Sequence, residues 1–508
     1  MKNKLLKTGL TACFFLTLSL LNASGIPAGK SLNVLSERSW KFDASLQTIY
    51  RKIIDLKTAE AMRLLDGVKD EERRYYRFYL QSLAESVEIL VTEDEKRFPD
   101  VLKKFKQRIK ILEAETQSAD NLFLLAELNL QLGFCHLNLG ENFSAILAIR
   151  EAFMFARECM EKYPRYIPIL KTSGVLQVMA GAVPDKYRWF LNLLGISGSV
   201  ETGQKQLNAL RQSGVSLNTE AAILYYTIKG FISQQFQESY QGIASLMKKE
   251  EPDRLLHFIG TTILMKQSRS EEAYQLIKEL DSKPEGLKLI YLEYLRAEIL
   301  LQKGDYQKSI ESYKLFLSEY QGSSFKKDAS MKIAWCYHLM KQPAMAIQWR
   351  EKAKKEGKTV AEPDIYAAEM LSENSFPEER LLRIRLLTDG GYLDQARILV
   401  SSVGKSGFTT PKDRTEFVYR KARLEHKSGN TAAAKSLYHQ VIEQNGKQSW
   451  YFGASSALQL GYIFTENNDL KTAQKFLEMA LKFENHPYKN SIDGKAKAAL
   501  DKIKTTGN

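Results

Sequence analysis

Residues 297–317 read AEILLQKGDYQKSIESYKLFL, and the spacing inside this stretch decides the fold. A small residue, Ala297, stands seven positions before the breaker pair Gly304-Asp305, and a second, Ser309, stands five positions after the turn opens. Apolar residues flank the turn at helical intervals, with Tyr313 and Leu317 one turn apart on the far side. The pattern predicts two helices folded back on each other, with small residues where their axes approach to about 8 to 10 Å. Such a hairpin leaves an apolar face bare and needs a neighbour to cover it.

The same grammar recurs in both directions. Turns at Lys341-Gln342-Pro343, Gly391-Tyr392-Leu393, Gly429-Asn430-Thr431 and Asn468-Asp469-Leu470 are bracketed by Ala334 and Ala346, Ile384 and Ala396, Ala422 and Ala434, and Gly461 and Ala473. Weaker members are Thr261 with Ala273, and Gly133 with Ala145 and Ala152. From Thr261 onward the steps between first-helix residues are 36, 37, 50, 38 and 39. A period of this size with helical patterning predicts an all-α fold, an α-solenoid (superhelix) of stacked hairpins. The 50-residue step holds Lys354 to Lys358 and Glu362-Pro363-Asp364, which predicts an inserted loop plus an extra turn of helix. With 29 Gly and 12 Pro in 508 residues, breakers are scarce, as long helices require.

The alternation of Ala or Gly with hairpin turns resembles the tetratricopeptide repeat family over most of residues 120 to 485. The chain departs from the family pattern at Glu293, Ser330 and Val418, where an aromatic is expected, and it mostly lacks the repeat-terminal proline. A second likeness lies in Val183-Pro184-Asp185-Lys186-Tyr187-Arg188-Trp189-Phe190-Leu191-Asn192-Leu193-Leu194-Gly195-Ile196-Ser197-Gly198, with Gly203 and Leu207 beyond it. Together with Lys327-Asp328-Ala329, Ala334-Trp335-Cys336-Tyr337 and Leu386-Leu387-Thr388-Asp389-Gly390-Gly391-Tyr392, it resembles exported tetratricopeptide proteins of bacterial envelopes. It is also similar to the eukaryotic family that includes the yeast inclusion-body clearance protein. These likenesses imply a solenoid and an envelope setting, and they carry no activity with them. Read from its residues alone, 183–207 is a helix started by Pro184 and broken at Gly195 and Gly198, a tight link packed on the array, with a binding loop as the alternative.

The N-terminus reads as a secretory signal peptide over residues 1–25: Lys2, Lys4 and Lys7, an apolar run from Leu10 to Leu21, and small residues at Asn22 to Gly25. Leu10-Thr11-Ala12-Cys13 resembles a lipobox, but Cys13 opens the apolar run where a lipid-bearing cysteine closes it. No later segment offers 18 uncharged apolar residues, so no transmembrane segment is expected after cleavage. The expected organisation is a polar leader over 26–42, N-terminal hairpins with the glycine-broken link over 43–200, the repeat array over 201–485 and a basic end over 486–508. Residues 43–115 are expected as about three helices that start the stack. The formal charge of +13 falls to +10 without the leader lysines and is thinly spread, which gives no nucleic-acid footprint. The densest cluster, Lys103, Lys104, Lys106, Arg108 and Lys110, reads as the solvated face of an amphipathic helix. Cys135, Cys159 and Cys336 are read as buried small apolar residues.

Catalytic grammar is missing. His136, His257, His338, His426, His439 and His486 show no metal-binding spacing, no Cys-x-x-Cys occurs, and there is no Gly-x-Ser-x-Gly elbow. No cofactor or metal is expected, and the chain is read as a non-enzyme. In an array of this kind the residue after each first-helix packing position points into the concave groove: Glu298, Trp335, Arg385, Arg423 and Tyr462. Tyr294, His338, Tyr419 and His426 project nearby on the same helices. Arginine and aromatic side chains are frequent binding anchors, although rings in helical arrays more often wedge between hairpins. The expectation is an exported scaffold or adaptor that holds a protein or peptide partner of the cell envelope in its groove, in the periplasm, at the outer membrane or in the medium. The alternative is a glycan- or nutrient-binding helical protein at the outer membrane.

Overall fold

The computed structural model describes residues 40–506 except 184–188, 190, 192–193, 249–253, 284, 360, 374 and 405–406. Residues 1–25, Cys13, nearly all of the 26–42 leader and Pro184 lie outside the described residues. The regular elements described are helices throughout, and the chain is an all-α solenoid.

Helical hairpins follow one another along it. They pair α5 (Ala119–Asn138) with α6 (Asn142–Lys162), α7 (Ile169–Gly181) with α8 (Val200–Arg211), α9 (Asn218–Phe231) with α10 (Phe236–Met247), and α11 (Arg254–Lys266) with α12 (Ser270–Asp281). The central pairs are α13 (Tyr291–Lys303) with α14 (Tyr306–Glu319) and α15 (Lys326–Leu339) with α16 (Pro343–Lys355). After α17 (Glu362–Ser372) come α18 (Glu379–Gly390) with α19 (Leu393–Ser402), α20 (Pro411–Lys427) with α21 (Thr431–Asn445), α22 (Tyr451–Glu466) with α23 (Leu470–Lys482), and a terminal α24 (Lys489–Thr506).

Each turn is built from its own residues. One residue adopts the left-handed conformation, as at Gly304 (φ 93°), Gly391 (φ 83°) and Gly429 (φ 81°), where a missing Cβ removes the strain. Asp305, Asn430 and Asp469 then cap the second helix by accepting the backbone N–H of Lys308, Ala433 and Thr472. The turns that lack glycine place Gln234, Ser268, Lys341 and Asn468 in the same conformation, at φ near 60°. Ala297, Ser309, Ala346, Ala396, Ala422, Ala434 and Ala473 are all fully buried, so the predicted contact positions do carry the crossings. Ser309 also donates its hydroxyl to the Ala297 carbonyl at 2.8 Å, a tie across one hairpin.

Two features depart from expectation. First, α1 (Ala44–Ile54), α2 (Thr58–Leu65) and α3 (Arg74–Thr92) do more than precede the hairpins: α3 packs on α5 and α1 reaches α11. Helix α3 packs on α5, its Tyr79 donates to Glu220 on α9 at 2.5 Å, and Lys171 on α7 donates to the Tyr79 hydroxyl at 2.7 Å. Asp55 accepts the Arg254 N–H at the start of α11, and the Leu56 carbonyl accepts Leu287 N–H at 2.8 Å. Helix α4 (Phe98–Glu113) is the basic segment, and it turns Arg108 inward onto Glu85 at 2.7 Å instead of to solvent. Second, the inserted segment is a full helix: α17 lies against α15, and Asp364 accepts the N–H groups of Phe325 and Asp328 at 2.6 and 3.0 Å. The stack therefore changes partner there, and α18 packs on α13.

Candidate groove of the C-terminal hairpins

The first helices α13, α15, α18, α20 and α22 carry every side chain singled out from the sequence, and the structure sorts them into three environments. Tyr294, Trp335 and Tyr419 are core residues at 4%, 3% and 2% exposure, so these rings wedge between hairpins and present no free face. Tyr294 donates to Asp328 Oδ2 at 2.6 Å and packs against Tyr291, Phe316 and Phe325. Tyr419 hydrogen-bonds Ser455 at 2.8 Å and lies against Tyr451 and Phe452.

Glu298 and His338 are half-buried and already engaged. Glu298 accepts the Lys332 ammonium at 2.6 Å and the Tyr313 hydroxyl, closing a network with Asp328. The His338 ring stacks on Phe376 with centroids 4.8 Å apart, and its Nε2 reaches the Pro377 carbonyl at 3.1 Å.

Arg385, Arg423, His426 and Tyr462 remain. Arg385 on α18 donates to the Tyr366 hydroxyl of α17 at 2.6 Å, and its guanidinium lies 5.2 Å from the Tyr366 ring and 5.8 Å from Trp335. Arg385 and Arg423 approach the two oxygens of Asp389 at 3.6 and 3.5 Å. Burial works to raise the Asp389 carboxyl, but Arg423, Arg385, Lys427 and Arg420 together hold it below the usual carboxylate range. His426 meets the Tyr438 hydroxyl at 3.2 Å, and burial, Arg423 and Lys427 push its ring below the ordinary histidine value. Burial pushes the Tyr462 phenol up to about 12.

Asp389, Lys427 and Arg420 were not singled out from the sequence, yet all were reachable: Asp389 is four residues from Arg385, and Lys427 and Arg420 are four and three from Arg423, on the same helix faces. Tyr366 and Tyr488 gave no signal. They meet in a stack with centroids 5.1 Å apart because the α17 insertion brings its face across to the start of α24. Among the described residues no group of His, Cys, Asp and Glu side chains is placed to hold a metal ion, and no helix is long and apolar enough to cross a membrane. A separate cleft of about 420 Å³, lined by Gly446 to Ser449, Met479 and Lys482 to Asn485, involves none of the predicted residues.

The tetratricopeptide repeat family model matches residues 294–321, which span most of α13, the Gly304 turn and all of α14. No curated protein matches the chain. Solved structures similar to it include the apo form of RapI, at 14% identity over 79% of this chain and 97% of that one, with a TM-score of 0.26. Others are the apo form of the quorum sensor NprR from B. thuringiensis (12%, 86% and 97%, TM-score 0.26) and aspartyl phosphate phosphatase F from Bacillus subtilis (11%, 82% and 97%, TM-score 0.21). The matched hairpin, which is similar to the tetratricopeptide repeat family, shares its left-handed turn and buried small residues with the hairpins before and after it.

Proposed function

We propose that the protein is an exported, non-enzymatic scaffold that holds a protein or peptide partner of the cell envelope against the first helices α18, α20 and α22. One observation carries the reading. Arg385 and Arg423 follow the packing residues of α18 and α20, Asp389 lies one turn after Arg385, and the three side chains keep 25%, 29% and 41% exposure while the rings around them are locked in packing. Fixed helices present these groups in a set geometry, so little ordering is lost on association. Export rests on the basic and apolar leader at residues 2–21.

The test is a photo-crosslinking residue at Tyr462, used in intact cells and followed by sequencing of the captured peptides. A defined envelope protein, lost when Arg385 and Arg423 are both replaced by Ala in a chain that still melts normally, is the expected result. Capture that ignores those two arginines refutes the groove. Mass spectrometry of the mature N-terminus tests export: retention of residues 1–25 overturns it.

A further inference from the structure

The cleft of about 420 Å³ at the ends of α21 and α23 is lined from two loops. One leads from α21 into α22 and supplies Gly446 to Ser449; the other leaves α23 and supplies Lys482 to Asn485. Both are held in place by their own residues. The fully buried Asn445 accepts the Gly453 N–H on its Oδ1 at 3.1 Å and donates from Nδ2 to the Gln448 carbonyl at 3.0 Å, which bends the chain back at Gly446 (φ 49°). On the other side Lys489 donates to the Phe483 carbonyl at 2.9 Å, and the Phe483 ring rests on the backbone of α22, where a Cβ at Gly453 would meet its Cε1 at 2.7 Å. The walls are therefore set before anything enters, which lowers the ordering cost of binding. The volume falls within the small-molecule range of about 300 to 1,000 Å³.

The polar side chains around the cleft are uncommitted. Lys447, Gln448, Ser449, Lys482, Glu484 and Asn485 are all exposed, and among the described residues none of these six side chains makes a hydrogen bond or an ion pair. Between them they offer ammonium and amide donors, carboxylate and amide acceptors, and a hydroxyl that does both. Met479 and Phe483, both half-buried, supply the apolar part. The charges come close to cancelling: two ammonium groups stand against the Glu484 carboxylate and the carbonyl ends of α21 and α23, each worth roughly half a negative charge. An anion gains little there, because it brings acceptors only and meets Glu484. A neutral ligand dense in hydroxyls answers donors and acceptors alike.

We propose that this cleft binds a neutral saccharide of one or two rings. The six polar side chains hydrogen-bond its hydroxyls, and Phe483 with Met479 packs against the C–H face of a ring. The site shares no side chain with the groove on α18 and α20, so it stands or falls independently of the partner reading.

The experiment is a saturation-transfer NMR titration on the full chain without its leader, with maltose, cellobiose and lactose as probes and a glycine–serine tetrapeptide and inorganic phosphate as comparisons. At least one disaccharide is expected to bind, with an affinity that hardly changes with salt because no net charge is neutralised. Gln448→Ala with Glu484→Ala, whose side chains hold nothing in the fold, is expected to lower that affinity by about fivefold or more, as the loss of two hydrogen bonds does. Arg385→Ala with Arg423→Ala is expected to leave it unchanged. No binding of any of the three sugars, binding that the Gln448 and Glu484 substitutions do not weaken, binding lost with the two arginines, or tighter binding of the tetrapeptide or of phosphate overturns the proposal.

Discussion

Lys171→Met should loosen the N-terminal helices. Lys171 is 2% exposed on α7 and is bonded to Glu127 at 2.6 Å, to Glu220, and to the Tyr79 hydroxyl at 2.7 Å. Burial opposes its charge, but Glu127 and Glu220 hold the ammonium above the ordinary lysine value. Methionine nearly fills the space, so packing loss is small. The cost comes from two carboxylates left without a cation, Glu127 at 2% side-chain exposure and Glu220 at 12%. Stranding a buried charge in this way typically costs about 3 to 5 kcal/mol. The readout is hydrogen exchange resolved on α3, with tryptophan emission reporting Trp40, whose ring lies 4.8 Å from Phe123. A second substitution, Glu127→Gln, should recover part of the loss. A deficit that Glu127→Gln leaves untouched would show that packing, not charge, holds these helices, and no deficit at all would refute the account.

Gly461→Ala places a Cβ 2.5 Å from Leu477 Cδ2 and 2.6 Å from its Cγ in a fully buried crossing, and a melt should show about 1 to 3 kcal/mol of destabilisation. Ala422→Leu should cost a similar amount by overpacking α20 against α21, with no change in the secondary-structure signal of the surviving folded fraction. Burial, opposed by the Asp328 and Phe325 N–H groups and reinforced by the Asp328 charge, raises Asp364 to about 7. Its contribution to stability is therefore full below an ordinary aspartate value of about 3.9 and is lost as pH rises through 7, so Asp364→Asn should flatten the pH dependence of melting in that window. Cys159 and Cys336 thiols are pushed up to about 12 by burial, and Cys135 is raised further still, so all three should resist alkylation in the native chain and react together on unfolding.

The repeat was readable because its determinants are local. A left-handed turn, a capping Asp or Asn and a short side chain at the crossing each sit within a few residues of one another, and Gly304-Asp305 and Gly429-Asn430 spell out the first two directly. Turns at Gln234 and Ser268 carry the same geometry without glycine, because the surrounding helices impose it. The groove was half legible for a related reason. Helical register identifies which side chains share a face, and so reaches Arg385 and Arg423, but it does not say whether that face meets water or another helix. Trp335 and Arg385 occupy equivalent repeat positions, and the inserted α17 helps cover the first while leaving the second a quarter exposed. The placement of α1 to α3 was beyond reach, since it depends on contacts such as Tyr79 to Glu220, 141 residues apart.

That placement sets the N-terminal hairpins apart from the later ones. The first helices of the N-terminal arc present polar groups inward just as the later ones do: Glu127, Lys171, Glu220 and Arg254. There the chain supplies its own partners, Tyr79 and Asp55, and closes the surface. Burying such groups is favourable only when each finds a counterpart, and a half-satisfied set is worse than none. Around Asp389 the contacts are longer, 3.6 Å from Arg385 and 3.5 Å from Arg423, and the three side chains keep 41%, 25% and 29% exposure. The same repeat thus closes its polar groups from within along the first hairpins and leaves them partly open to water on α18 and α20.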